Sequence, residues 1–457
     1  MRFRTELSDV EIAKGLHAET DIFNRRDLAL RLTGLYQQLD HGSVSLLDGR
    51  WGTGKTTFVK QWKAELDQLG IPAIYFDAFA SDYIESPFQA VAGVFVKAAI
   101  DAKRQDQPAY KAYLSKAAAV GKTIASVSAK VGVKAATLGA INIADFGEVG
   151  DALADGLSDI SEEAVKRLLE EHATLETKFY ELRKALQELP TLLKPNAQAE
   201  FIPPLIIFID ELDRCKPDFS LGVLEVLKHF FRADGLHFVL VTNRRNLELS
   251  VNHRYGVGES ASEYLNKFYD FTVYFENEYE RREPGSVAIF IKKLLEPLIP
   301  TRSRSGADTS EVVRDFSIAF RLTLRQIQSY ATNVAISYLA ANDNELRPAV
   351  LIGFLGLIKM LRPDLYQRAK NGTLSWEDVS LFLDSGSWKN SENERITAIV
   401  RYHLDPNLDA NDPQWRGWGD AIWRYNIERH EVVRYLANHI MDRFAAPIEK
   451  ELSSEQP

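Results

Sequence analysis

Short apolar runs and amphipathic stretches alternate along the first 275 residues, and helical periodicity alone continues beyond them. SVSLLD (43–48), PAIYFDAF (72–79), PLIIFID (204–210), LHFVLVTN (236–243) and FTVYF (271–275) have the length and apolar character of strands. Helical segments separate them, which predicts an α/β domain with a mainly parallel sheet. After the first run, Phe58, Val59, Trp62 and Leu66 recur at helical spacing, with Lys60, Gln61 and Lys63 expected to face outward. From Glu276 onward, VAIFIKKLLEPLI, VRDFSIAFRLTLRQIQSYATNVAISYLAA and PAVLIGFLGLIKMLRP predict an all-α region. The expected division is therefore 1–275 and 276–457.

An insertion at about 101–199 splits the α/β part. Its later half, ISEEAVKRLLEEHATLETKFYELRKALQEL, is charge-laced and predicts a solvated antiparallel or coiled arm. Its earlier half, around 117–144, is built of small apolar residues at a length that reaches across a bilayer, but Lys122, Lys130 and Lys134 interrupt it. These lysines fall within about 120° on a helix. No transmembrane span is expected; a small-residue helix packed on its neighbours is the first reading, and peripheral membrane contact through one basic stripe is the second.

Between the first strand and its helix lies GRWGTGKT, the G-x-x-x-x-G-K-[ST] pattern from Gly49 to Thr56. Glycines free the backbone N–H groups to surround phosphate, a lysine reaches the β- and γ-oxygens, and a Ser/Thr hydroxyl ligates Mg²⁺. Strand, glycine loop and helix follow in the order this chemistry requires. Gly49, Trp51, Gly52, Thr53, Gly54, Lys55, Thr56 and Thr57 form the predicted nucleotide-binding set.

Hydrolysis also needs a metal carboxylate and a group that orients water. LIIFIDELDR supplies both: Asp210 ends an apolar strand where a carboxylate can hold Mg²⁺, and Glu211 follows as the expected base. Asp213 and Arg214 have two readings, a helix cap with a solvated ion pair, or shared water activation (Asp213) and neutralisation of phosphate charge (Arg214). Asn243, at the end of the fourth strand, is either a γ-phosphate or water contact or a plain turn residue.

Composition narrows the class. The 457 residues are 45% hydrophobic and 26% charged, ordinary for a globular chain. A net charge of −9 gives no support to a surface made for nucleic acid, although a local basic groove is compatible with it. The single cysteine, Cys215, excludes an intramolecular disulfide and a cysteine-based zinc site and fits a reducing cytoplasm. The polar start MRFRTELSDVEIAKG does not read as a signal peptide.

GRWGTGKTTF, YFDAFAS, FIDELDRCKP, FVLVTNRRNLE and EYLNKFYDFTV together resemble the KAP family of P-loop NTPases, over roughly Ala18 to Val334. Trp51 matches a tryptophan found inside that family's phosphate loop. Phe76-Asp77-Ala78-Phe79 matches its aromatic strand end, with Asp77 in place of the usual Asn, and Tyr264-Leu265-Asn266-Lys267 matches its last signature. Where many members have Asp, this chain has Asn243, and where many have transmembrane helices, it has the lysine-interrupted insertion. The resemblance implies ATP with Mg²⁺ as cofactors, adenine contact at Ile22, Phe23 and Arg25, and a phosphate-sensing arginine at Arg325. Lys55, Glu211, Asp213, Asn243, Arg214 and Arg325 are thus the expected catalytic set. Prokaryotic relatives resemble phage-exclusion and anti-phage ATPases, which implies a switch working with a protein partner or further copies of itself. Three rivals stand beside this reading, of which a P-loop kinase fits least, because the acidic run at 210–213 suits water activation better than an acceptor hydroxyl site. No N-K-x-D motif supports a GTPase, and an ATP-holding scaffold without hydrolysis is the main alternative. PQWRGWGDAIWRY (413–425) reads either as the core of a small helical subdomain or as a partner surface.

Overall fold

A computed structural model describes residues 9–17, 19–131, 162–194, 202–230, 233–275, 284–299, 304–340, 348–388, 390–409 and 428–442. Lys134, the side chain of Lys130 and the tryptophan-rich stretch 413–425 lie outside the described residues. The chain forms two compact units, one of residues 7–50 and 54–275, the other containing Trp51–Thr53 and residues 276–457.

The first unit is built on five parallel strands, β1 (Ser43–Asp48), β2 (Ala73–Asp77), β3 (Leu205–Asp210), β4 (Leu236–Thr242) and β5 (Phe271–Tyr274), in the order β2-β3-β4-β1-β5. All five apolar runs are strands, each within a residue or two of its expected bounds. β4 lies between β1 and β3, so the glycine loop and the LIIFIDELDR motif sit on strands one apart. Register sets Asp48 opposite Thr242, and Asp210 opposite both Asp77 and Val241. The carboxyl ends of four strands thus meet at one edge, where open α/β sheets bind ligands.

The principal helices of this unit are α1 (Arg26–Gln38), α2 (Lys55–Gln68), α3 (Pro87–Asp101), α4 (Pro108–Val131), α5 (Glu162–Leu186), α6 (Pro217–Leu227) and α7 (Arg244–Tyr255). Alternation along the strands divides their side chains between two cores. Ile206 and Phe208 of β3 join Phe58, Val59 and Trp62 of α2 on one face, whereas Ile207 and Ile209 join Phe88, Phe95 and Leu224 on the other. By the same period Asp210 falls on the α2 face, the side from which the glycine loop approaches.

Two expectations change here. Gln61, expected outward, is buried, because the chain before α1 also lies along α2: Glu65 accepts from the Leu16 N–H at 3.3 Å and from the Arg26 side chain. The inner part of the insertion is antiparallel, as expected, but one of its faces is buried and not solvated. Helices α4 and α5 run antiparallel, with Lys116 on Glu181 at 2.7 Å and Lys178 on Thr123 at 2.6 Å. Tyr113, Val120, Phe179, Leu182 and Leu186 enter the same core as α3. Burial of these residues on the charge-laced helices outweighs their polar appearance. Among the described residues no helix is long and apolar enough to cross a membrane.

The second unit is helical, with α8 (Pro284–Leu295), α9 (Arg304–Ala319), α10 (Leu324–Ala340), α11 (Ala349–Leu361), α12 (Pro363–Asn371), α13 (Trp376–Asp384) and α14 (Asn390–Leu404). Nine residues of α11 are buried, and it is the most apolar of the described helices. Asp442 ties the unit together by accepting from Lys359 and Lys370, each at 2.7 Å, and from Tyr366.

Candidate functional site

The glycine loop leaves β1 at Asp48 and turns into α2 at Lys55. Gly52 and Gly54 have φ of +80° and +86°, values that carry a steric cost for any residue with a Cβ. At Gly52 space is also closed: an added Cβ would lie 2.7 Å from the Arg325 Cβ. The Lys55 side chain is buried and folds back over the loop, donating to the carbonyl of Gly49 and, at 3.1 Å, to that of Arg50. Burial lowers its pKa, against the opposing pull of Asp213, Asp210, Asp48 and Glu211. Its donors rest on two backbone carbonyls, groups that a phosphate oxygen can replace as acceptors.

Opposite the loop, Asp210 is 2% exposed. Its Oδ2 accepts from the Tyr75 hydroxyl at 3.0 Å and its Oδ1 from the Glu211 N–H at 2.9 Å. Burial pushes its pKa up to about 6, with the Glu211 charge adding to the rise and the Tyr75 hydroxyl and Glu211 amide opposing it. Thr56 Oγ1 donates to Glu211 Oε1 at 3.1 Å. Thr56, Asp210 and Glu211 therefore converge as a set of hard oxygens. Mg²⁺ takes one or two such carboxylates plus substrate phosphate oxygens, not an all-protein cage. A buried carboxylate whose charge is penalised gains from a cation, so this donor set fits Mg²⁺ with Thr56 and Asp210 as ligands.

Asp210 carries a consequence for stability. Its folded pKa of about 6 lies above the ordinary 3.8, so between these two pH values the native state holds a proton there that the unfolded chain has released. Above pH 6 both states are ionised and burial of the charge counts against the fold, whereas below pH 4 the penalty is gone. Asp210→Asn should then stabilise the nucleotide-free protein at pH 7.5 by roughly 1–3 kcal/mol, with no gain at pH 4. Thermal melts at the two pH values check this, and an equal effect at both would contradict it.

Glu211 has φ of +64° and opens a single 3₁₀ turn, Leu212–Arg214. A non-glycine residue there costs about 1 kcal/mol or more, strain of a kind that clusters at functional sites. Arg214 Nε pairs with Glu211 Oε2. Asp213 supplies the largest of the charge contributions that favour protonated Lys55.

At the end of β4, Asn243 makes no side-chain capping bond to α7. Its neighbour Arg244 does the local fastening: the backbone N–H donates to Asp48 Oδ1 at 2.9 Å, and the guanidinium reaches Glu248, Ser262 and Asn266. The YLNK stretch serves the same network. Tyr264 donates to the buried Glu225 at 2.8 Å, Leu265 is buried, Asn266 accepts from Tyr269, and Lys267 lies over the Tyr264 ring. Asp77 caps the turn after β2 through Ala80 N–H at 2.8 Å.

Toward the expected base, Asp21 accepts from the N–H groups of Arg25 and Arg26 and fixes the entry to α1. Arg25 is buried, its guanidinium 4.1 Å from the Phe275 ring centroid and 5.1 Å from that of Phe23, and Ile22 is half-buried beside them in sequence. In the helical unit, the Arg325 N–H donates to the Gly52 carbonyl at 3.2 Å, and its side chain is exposed. Trp51 is about half exposed, Thr53 is buried and Thr57 is exposed.

The first unit thus brings Lys55, Thr56, Asp210, Glu211, Asp213 and Arg214 together. Sequence reasoning missed Tyr75, which donates to Asp210, Asp48, which acts on Lys55 by charge, Arg244, whose N–H holds Asp48, and Phe275, which lies under Arg25. The only advance signal for Asp48 and Tyr75 is their place at or near the carboxyl ends of strands flanking the two motifs. A family model described as the KAP family P-loop domain matches residues 34–341, about two thirds of the chain. No curated protein matches it.

Proposed function

The chain belongs to the KAP family of P-loop NTPases, and from that premise we propose that it binds ATP with Mg²⁺ and hydrolyses it as a nucleotide-dependent switch. The observation that carries this reading is the convergence of Lys55, Thr56, Asp210 and Glu211 at one edge of the sheet. The loop amides and the Lys55 ammonium bind the β- and γ-phosphates, with Lys55 releasing or sharing the carbonyls of Gly49 and Arg50. Bound at Thr56 and Asp210, Mg²⁺ supplies charge neutralisation on the phosphate oxygens. Glu211 orients the attacking water and takes its proton, and Asn243, the residue that follows β4, is assigned to fix that water. Asp213 serves Lys55 electrostatically.

On this reading residues 1–275 are the ATPase domain, with the insertion at about 101–199, and 276–457 transmit the nucleotide state. Arg325, through a helix whose first turn binds the Gly52 carbonyl, is the residue assigned to sensing it. A protein partner or a second copy receives the signal; the likeness of prokaryotic relatives to phage-exclusion ATPases is the ground for an anti-phage setting, and the single cysteine, Cys215, the ground for a cytoplasmic one. Ile22, Phe23 and Arg25 line the base. ATP should therefore bind well and GTP at least tenfold more weakly, since no guanine-reading motif is present; equal affinities by calorimetry would overturn the choice of base.

A further inference from the structure

Arg214 has no task in the hydrolysis outlined above, yet it holds the group on which that hydrolysis depends. Its Nε pairs with Glu211 Oε2, and the two side chains are only 31% and 14% exposed. The second oxygen, Oε1, accepts from Thr56 Oγ1 at 3.1 Å. Each oxygen of the carboxylate thus has one partner, and the Arg214 pair fixes the direction in which the group that must meet the water points.

The turn that produces the pair is built into the backbone. Positive φ at Glu211 starts a 3₁₀ turn in which side chains three apart eclipse one another. The Arg214 N–H closes it on the Glu211 carbonyl at 3.1 Å, and Cys215 Sγ–H points to the same oxygen at 3.5 Å. Leu212 is fully buried within the turn, and the Lys216 N–H is tied to Asp82 at 3.4 Å just beyond it. The closed turn fixes the two backbones at this spacing, so the pair opens by rotation of the side chains alone.

We propose that Arg214 is a positioning residue that restrains Glu211, so that the ion pair acts as a brake on hydrolysis. The proposal rests on the reading of Glu211 as the base. It contrasts with a role for Arg214 on the phosphate itself, because the two predict opposite changes in rate. A partly buried, charge-assisted pair that must open before turnover lowers the rate by about threefold to tenfold.

The test is steady-state phosphate release and nucleotide affinity for the full chain with Arg214→Ala, Arg214→Gln and Arg214→Lys, the glutamine variant keeping most of the aliphatic stem should alanine impair folding. The expected result is a threefold to tenfold rise in kcat for Ala and Gln, KM and ATP affinity within twofold of the parent, and a return toward the parental rate in Lys. Adding Glu211→Gln to Arg214→Ala should erase the gain. A fall in kcat, or a change of less than twofold, in a folded variant would overturn the brake. Failure of the underlying reading looks different: Glu211→Gln alone would then hydrolyse ATP at the parental rate.

Discussion

Lys55→Ala is expected to lose ATP affinity and turnover together. The ammonium sits in the loop with its donors on the Gly49 and Arg50 carbonyls and four carboxylates within electrostatic reach. On the proposed reading it meets the β- and γ-phosphates in both ground and transition states, so its removal cannot be confined to either. Hydrogen bonds to charged groups are worth about 1.5–3 kcal/mol each, which sets the loss of affinity at roughly tenfold to 10²-fold. The same substitution leaves Asp210, Asp213, Asp48 and Glu211 without their central counter-charge. Lys55→Met, which keeps volume, separates the missing charge from a missing side chain. Calorimetric titration with ATP and Mg²⁺ checks the result, and an unchanged affinity in both variants would remove Lys55 from the phosphate site.

Glu211→Gln is expected to do the reverse, sparing binding while stopping chemistry. The amide retains the shape of the side chain, and Thr56, Asp210 and the loop amides keep their places. An amide cannot take the proton of the attacking water, so turnover should drop by about 10²-fold or more. The ATP-loaded protein should then accumulate, and a partner that responds to nucleotide state should be trapped on it and be absent from the Lys55 variant. Asp213→Asn is the control. Asp213 acts on Lys55 by charge, so its neutralisation should cost affinity before rate. If Asp213→Asn still binds ATP but is inactive while Glu211→Gln works normally, the base is Asp213.

How much of this was legible in sequence follows from the range of the interactions concerned. The strands were readable because LIIFID and LHFVLVT are buried on both sheet faces, so local apolarity and tertiary position agree. The loop was readable because its backbone needs glycine at set positions. Gln61 was misplaced because one helix period cannot report a second layer: α2 is covered by the sheet and also by the chain before α1. The insertion was read as solvated for a similar reason, since Phe179 and Leu182 on a charged helix do not announce the α3 core they enter. The grip of Arg214 on Glu211 was least accessible. It depends on positive φ at a glutamate, which no side-chain pattern signals, and so both readings of Arg214 stood open. Tyr75 met Asp210 only once β2 and β3 were set in register.

The central claim, that this edge of the sheet hydrolyses ATP and does not merely hold it, is tested most directly by phosphate release from the unaltered chain. Purified protein is mixed with excess ATP, with Mg²⁺ or with a chelator, and phosphate is counted per protein molecule over time. Many turnovers per molecule with Mg²⁺, none with the chelator, and a rate at least about 10²-fold lower in Glu211→Gln are predicted. Tight retention of one ATP per molecule with no phosphate released in Mg²⁺ would contradict the claim and make the protein an ATP-holding scaffold.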